Sequence, residues 1–146
     1  MKNNSVQLHR VIRSTPEKVY QAFLNVDAMA RWLPPYGILN QVHHLDARVG
    51  GTFKMAFSGF ATGQGHAFGG TYLELIPGKL IRYSTTFDDP QLPGEMLVRA
   101  EISAVSCGVS LHIEQSNIPS VIPTELCYLG WQESIAQLIN LVEPNV

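Results

Sequence analysis

The segment Thr124–Val142, TELCYLGWQESIAQLINLV, constrains this chain more than any other. Cys127, Trp131, Ile135, Leu138 and Val142 recur at three- and four-residue spacing, with Ser134 beside Ile135. They make one apolar stripe along a helix. Gln132, Glu133, Gln137 and Asn140 fill the other face, and Pro123 and Pro144 punctuate the two ends. Gly130 stands inside the helix at a cost of about 1 kcal/mol relative to Ala. Its missing side chain lets a strand or a ligand approach closely. An apolar stripe needs a surface to lie on. Almost everything upstream reads as strand, so that surface is a sheet, and any function sits in the gap between sheet and helix.

The chain in order supports this. Val6–Arg13 is a first strand. Ser14 can cap the next helix, with Glu17 reaching back to close a capping box, and Val19, Phe23 and Val26 give that helix its stripe. Asp27 is the expected cap of a second short helix, Ala28–Leu33, which Pro34-Pro35 ends. The period then changes to two. Val42–Val49 and Thr52–Ser58 flank Gly50-Gly51, and Phe53, Met55 and Phe57 share one face. A glycine-rich loop, Gly59–His66, follows. Ala67–Ile76 and Lys79–Phe87 flank Pro77-Gly78, and Asp88–Gly94 is a loop. Met96–Val105 and Val109–Gln115 flank Ser106-Cys107-Gly108 and alternate apolar with polar, as in an antiparallel sheet covered on one side. Strand, two helices, six strands and a helix make an α+β fold with the helices gathered on one face.

Composition narrows the function classes. A chain of 146 residues is one ordinary domain, expected to span 1–146. A net charge of −2 and the lack of any Lys/Arg cluster argue against nucleic-acid binding. No stretch of about eighteen apolar residues exists, and MKNNSVQLHR lacks an apolar signal core, so a cytoplasmic protein without a membrane span is expected. Two cysteines, Cys107 and Cys127, without a CxxC spacing are expected to be free, buried thiols.

The order and spacing of four stretches resemble the helix-grip fold of the START-like, or SRPBCC, superfamily, which includes the birch-pollen allergen and polyketide cyclases. These are Ser14–Leu33 (STPEKVYQAFLNVDAMARWL), Leu45–Phe53 (LDARVGGTF), Gly70–Tyr83 (GTYLELIPGKLIRY) and Gly130–Glu143 (GWQESIAQLINLVE). Within it the chain is most similar to the group related to the C-terminal domain of the heat-shock-protein-90 ATPase activator. The resemblance implies a seven-stranded antiparallel sheet curved around the C-terminal helix, two short helices between the first two strands, and an apolar cavity between sheet and long helix. It does not imply one chemistry.

Motifs with a defined chemistry are scarce. His9, His43, His44, His66 and His112 form no HxxxH or HExxH, so no metal site is expected. The segment Gly63–Gly70 lacks the spacing of a phosphate cradle, and a strand rather than a helix follows it. Gly108-Val109-Ser110-Leu111-His112 is no nucleophile elbow, because its fifth position is His and strands flank it. No cofactor is expected. Asp46 and Arg48 would share a strand face and pair, most simply as a structural ion pair. Glu74 shares a strand face with Tyr72, and on the inner face it would be a desolvated carboxylate fit for acid or base work.

The aromatic residues are the remaining signal. With the cavity that the resemblance implies, the expected lining is Trp32, Phe53, Met55, Phe57, His66, Phe68, Tyr72, Tyr83, Phe87, Tyr128 and Trp131, an apolar wall with a few polar handles. Tyr36 belongs to the same set of rings. Three functions fit. The first is binding of a small hydrophobic or aromatic molecule. The second is a cyclase, hydratase or lyase reaction using a Tyr, His or Glu in the cavity. The third is an interaction module stimulating a chaperone ATPase. The expected partner is a small hydrophobic molecule, and a homodimer stays open.

Overall fold

The computed structural model describes residues 4–143. The elements run β1 (Val6–Ile12), α1 (Pro16–Leu24), α2 (Val26–Trp32), β2 (Ile38–Leu45), β3 (Thr52–Gly59), β4 (Gly65–Ile76), β5 (Leu80–Phe87), β6 (Met96–Val105), β7 (Gly108–Ser116) and α3 (Thr124–Val142). All seven strands form one antiparallel sheet in the order β1-β7-β6-β5-β4-β3-β2. Only β1 and β7 pair across a long stretch of sequence; the other neighbours are hairpins, which tight turns can join. The sheet curls around α3, as the resemblance implies.

Burial follows the pleat. On β6 every second residue from Met96 to Ile102 is buried, and on β7 Val109, Leu111 and Ile113 are buried. Those faces meet α1, α2 and α3. On α3 the buried residues are Trp131, Ser134, Ile135, Leu138 and Val142, the stripe that the spacing predicts. Pro144, expected to stop this helix, lies outside the described residues. The helix ends as Glu143 turns to an extended conformation, its N–H still bonded to the Ile139 carbonyl at 2.8 Å.

Local details differ from the sequence reading. Thr15 caps α1, its Oγ1 accepting from the Lys18 N–H at 3.2 Å, while Ser14 is buried with Oγ unpartnered. Asn25 caps α2 in place of Asp27, accepting from the Ala28 N–H at 2.9 Å. Asn can leave the helical region at little cost and still reach N3. Val26, assigned to the first stripe, therefore starts the second helix and is exposed. The strand β2 stops at Leu45, so Asp46 and Arg48 pair at 2.7 Å on an exposed turn, where neither faces a cavity. The glycine-rich loop is shorter than expected, because β4 already begins at Gly65 and takes His66 with it. Cys107, expected to be buried, is exposed in the turn between β6 and β7; Cys127 is half-buried. Gly130 faces Pro35, whose ring carbon would lie 3.7 Å from an added Cβ, so its neighbour is the α2–β2 connection.

Candidate functional site

In an antiparallel pair, residues directly opposite share a face. The register therefore sorts the concave face into rows. Phe53, Gly70, Thr85 and Met96 make one row. Met55, Phe68 and Phe87 make the next towards the loop ends, with Phe57 and His66 beyond them. On the other side of Phe53 the row is Tyr72, Tyr83, Val98 and Gln115. Phe53 is the hub. Its ring lies 5.5 Å from Tyr72 and 5.3 Å from Tyr83, and the two tyrosine rings are 6.1 Å apart. This close knot needs Gly70: a Cβ there would meet the Phe53 ring at 2.8 Å and the Ser84 carbonyl oxygen at 1.8 Å.

The polar groups on this face are few and underused. Tyr72 is 2% and Tyr83 6% exposed, and neither hydroxyl makes a hydrogen bond among the described residues, although both oxygens keep some contact with solvent. Burial holds both phenols well above their ordinary range, and at Tyr83 the neighbouring Tyr72 adds to the effect. Each therefore stays protonated, a donor rather than a base, at neutral pH. Thr85 Oγ1 is buried with no partner. The Gln115 amide oxygen accepts from the Trp131 indole N–H at 2.8 Å, while its nitrogen has only the Met96 sulfur, a weak acceptor, at 3.2 Å. Burial also pushes the Cys127 thiol upward, away from the reactive thiolate.

The residues expected to line a cavity fall into three groups. Phe53, Tyr72 and Tyr83 come together, buried, on the concave face, and Trp131 on α3 is buried in the same core and bonded to Gln115. Phe57, Phe68 and Phe87 are half-buried, with Phe57 and Phe68 rings 4.8 Å apart. His66 is exposed at the rim, its ring 5.9 Å from Phe87. Tyr128 is 37% exposed on the outer side of α3, and Tyr36 is exposed as well. Trp32 lies elsewhere. It is enclosed between α1 and α2, donates its indole N–H to the Ala22 carbonyl at 2.8 Å and stacks edge-on against Phe23 at 4.8 Å. Met55 is fully buried beneath α2, where the Asn40 amide reaches its sulfur.

Glu74 does not enter the site. An irregularity between Tyr72 and Glu74 inserts Leu73 and turns Glu74 to the convex face, where Arg82 bonds it at 3.0 Å. Sequence reasoning missed Thr85 and Gln115. Thr85 was findable, standing two residues from both Tyr83 and Phe87 on a strand. Gln115 was not, because nothing in the sequence marks it as level with Tyr83 across one intervening strand and with Tyr72 across two.

Among the described residues no three His, Cys, Asp or Glu side chains gather as metal ligands, and no helix is long and apolar enough to cross a membrane. A protein of Chromobacterium violaceum, known from an X-ray structure, is 55% identical, with a TM-score of 0.96 over 97% of this chain and 99% of that one. Proteins of Rhodobacter sphaeroides (18% identity, TM-score 0.81, 94% of this chain and 91% of that one) and Nitrosomonas europaea (19%, 0.80, 97% and 96%) share the fold. No curated protein matches the chain. The family model described as "Activator of Hsp90 ATPase homolog 1-like protein" matches residues 13–143. The chain belongs to that family, within the START-like superfamily.

Proposed function

We propose that this protein binds a small hydrophobic molecule between the concave face of β3–β5 and the first half of α3. One observation carries the reading. The main backbone neighbours of α3 are β1, α1 and α2, whereas the aromatic rings lie across β3, β4 and β5. Their burial falls off from Phe53 and Tyr72 to the half-buried Phe57, Phe68 and Phe87 and the exposed His66, which is the profile of a mouth. An apolar wall with a few polar groups is the usual make-up of a small-molecule site. The reading places the protein in the cytoplasm and makes the small molecule its partner.

The catalytic alternative has weaker support. A cyclase or lyase needs a base, and Glu74 faces outward while the buried phenols hold their protons. The chaperone-directed alternative has one observation in its favour. Phe60 is 79% exposed and its N–H bonds to the Gly37 carbonyl at 3.0 Å, which sets it beside the exposed Tyr36. Stimulation of a purified Hsp90 ATPase by wild type, lost on Phe60→Ser, would support it.

The pocket reading is tested by titrating the folded protein with N-phenyl-1-naphthylamine, an apolar fluorophore, alongside native mass spectrometry of the protein as purified. One saturable site per chain is expected. Absence of saturation, with native circular dichroism, sinks the pocket.

A further inference from the structure

We propose that the molecule bound here is electrically neutral and carries a hydrogen-bond acceptor, such as a ketone, ester or amide carbonyl, which seats on the strip formed by Tyr72, Tyr83 and Gln115. The inference rests on the pocket reading above and adds the chemical class of its ligand.

The strip holds donors in excess. Among the described residues the Tyr72 and Tyr83 hydroxyls make no hydrogen bond, although their oxygens still reach solvent, and the Gln115 amide nitrogen has only a thioether. Thr85, one row along on the same face, adds a hydroxyl that is also without a partner. These side chains stand side by side on β4, β5 and β7, because Tyr72 lies opposite Tyr83, Tyr83 opposite Val98 and Val98 opposite Gln115. A hydroxyl can accept as well as donate, but a protonated phenol offers its O–H first. A ligand acceptor would take the place of water at the two phenols and give the sealed Thr85 hydroxyl, which has no partner among the described residues, something to donate to.

Charge on the ligand has nothing to meet. At the concave positions of β2 to β7 there is no Lys, Arg, Asp or Glu. Arg10 has the concave parity on β1. It stands four residues along from Val6, which is level with Gln115, and its guanidinium donates to the His9 carbonyl at 2.7 Å. The buried stripe of α3 is uncharged too. A carboxylate or ammonium brought here loses its hydration and gains no counter-ion, which is far costlier than burying a neutral carbonyl. Trp131 offers the ligand no further donor, since its N–H is already taken by the Gln115 amide oxygen.

The test uses the full chain and three fluorescent naphthalenes. Prodan, 6-propionyl-2-(dimethylamino)naphthalene, is a neutral ketone whose emission reports hydrogen bonding to its carbonyl. N-phenyl-1-naphthylamine lacks a carbonyl. The third probe, 6-(dimethylamino)-2-naphthoate, is an anion of similar shape. Prodan is expected to bind wild type most tightly. Tyr72→Phe with Tyr83→Phe should weaken it about tenfold, the size of one to two neutral hydrogen bonds. N-phenyl-1-naphthylamine should move by less than about twofold, since its contacts are apolar. If the double variant fails to fold, the carbonyl stretch of bound Prodan in wild type decides, and a frequency equal to that in alkane overturns the proposal. Equal effects of the substitutions on both neutral probes, or tighter binding of the naphthoate, also overturn it while leaving the pocket standing. Failure of all three probes to saturate removes the pocket itself.

Discussion

The two halves of α3 face different worlds. The second half is closed and its polar groups are matched. Ser134 Oγ donates to the Leu33 carbonyl at 2.5 Å, and the Gln137 amide donates to the Pro34 carbonyl at 2.5 Å and to that of Trp32 at 3.2 Å. Glu133 accepts from the Tyr36 N–H at 3.0 Å. Between these ties Ile135, Leu138 and Val142 are buried. The first half is tied to the sheet through one bond, Trp131 to Gln115, and Leu126, Tyr128 and Leu129 stay exposed. Across from it sit the hydroxyls without partners. One end of the same helix is tied down by these bonds, and the other is the end at which the proposed pocket would lie. Buried polar groups without partners are costly in a stable core, and Thr85 Oγ1 is one such group on this face, alongside Ser14 Oγ and Asn40 Oδ1 elsewhere in the fold.

That contrast breaks if large side chains on the two sides cost the same to remove. Trp32→Ala empties an enclosed indole site on the closed side and should cost about 3–5 kcal/mol. Phe57→Ala removes a half-buried ring at the mouth of the proposed pocket and should cost about 1–2 kcal/mol, in proportion to the area it hides. Urea titrations of the two variants give the comparison. Equal losses would mean that the mouth is as tightly packed as the helix pair.

The scaffold was more legible in the sequence than the site. The helix Thr124–Val142 and the strand Met96–Val105 have the bounds that their periodicity predicts, because long stripes average over local exceptions. Where two polar residues compete for one role, spacing alone could not choose. Ser14 against Thr15 and Asp27 against Asn25 are cases where tertiary packing picked the cap. The site depended on features with no local signature. Trp32 reads as a mouth residue from its place before Pro34-Pro35, and only the packing of α1 on α2 shows it to be sealed. Glu74 reads as a neighbour of Tyr72 until one inserted residue turns it outward. Aromatic content pointed to β3, β4 and β5, and the register decided which rings meet.

A smaller effect sharpens the comparison at Gly70, where the aromatic knot closes over the sheet. Gly70→Ala puts a methyl against the Phe53 ring and a backbone carbonyl, so the sheet has to shift. The cost should be about 1–3 kcal/mol, the range for overpacking. Glycines on loops are the control: Gly63→Ala, with open space around it, should be limited to the strain of its φ of +72°.

Alkaline pH addresses the tyrosines directly. Their folded pKa values lie above the unfolded value of about 10. Folding therefore favours the protonated phenols. The stability is fully present below about pH 10 and falls as pH rises from there towards the folded values, by up to about 1.4 kcal/mol per pH unit for each group. Stability measured by urea at pH 9, 10 and 11 should show this slope, and Tyr72→Phe with Tyr83→Phe should flatten it. A slope unchanged in the double variant would place the titration elsewhere, with Tyr20 the next candidate because burial raises its phenol too.

The smallest expected effect is the most telling for the open side. A buried tyrosine whose hydroxyl is well bonded loses about 1 kcal/mol or more on conversion to Phe, because a partner is left unsatisfied. At Tyr72 and Tyr83 there is no protein partner among the described residues to be orphaned. The rings keep their contacts with Phe53, and only the hydroxyls go. Each single Tyr→Phe change should therefore alter stability by less than about 0.5 kcal/mol in the ligand-free protein, and a slight gain is allowed. Trp131→Phe is the matched opposite. It takes away the indole N–H from Gln115 and should cost about 1–3 kcal/mol through the unpaired amide and the lost volume. Denaturation of the three variants side by side measures both. A loss above 1 kcal/mol at Tyr72 or Tyr83 would show that its hydroxyl serves the fold, and the division of α3 into a holding half and a receiving half would then fail where it matters most.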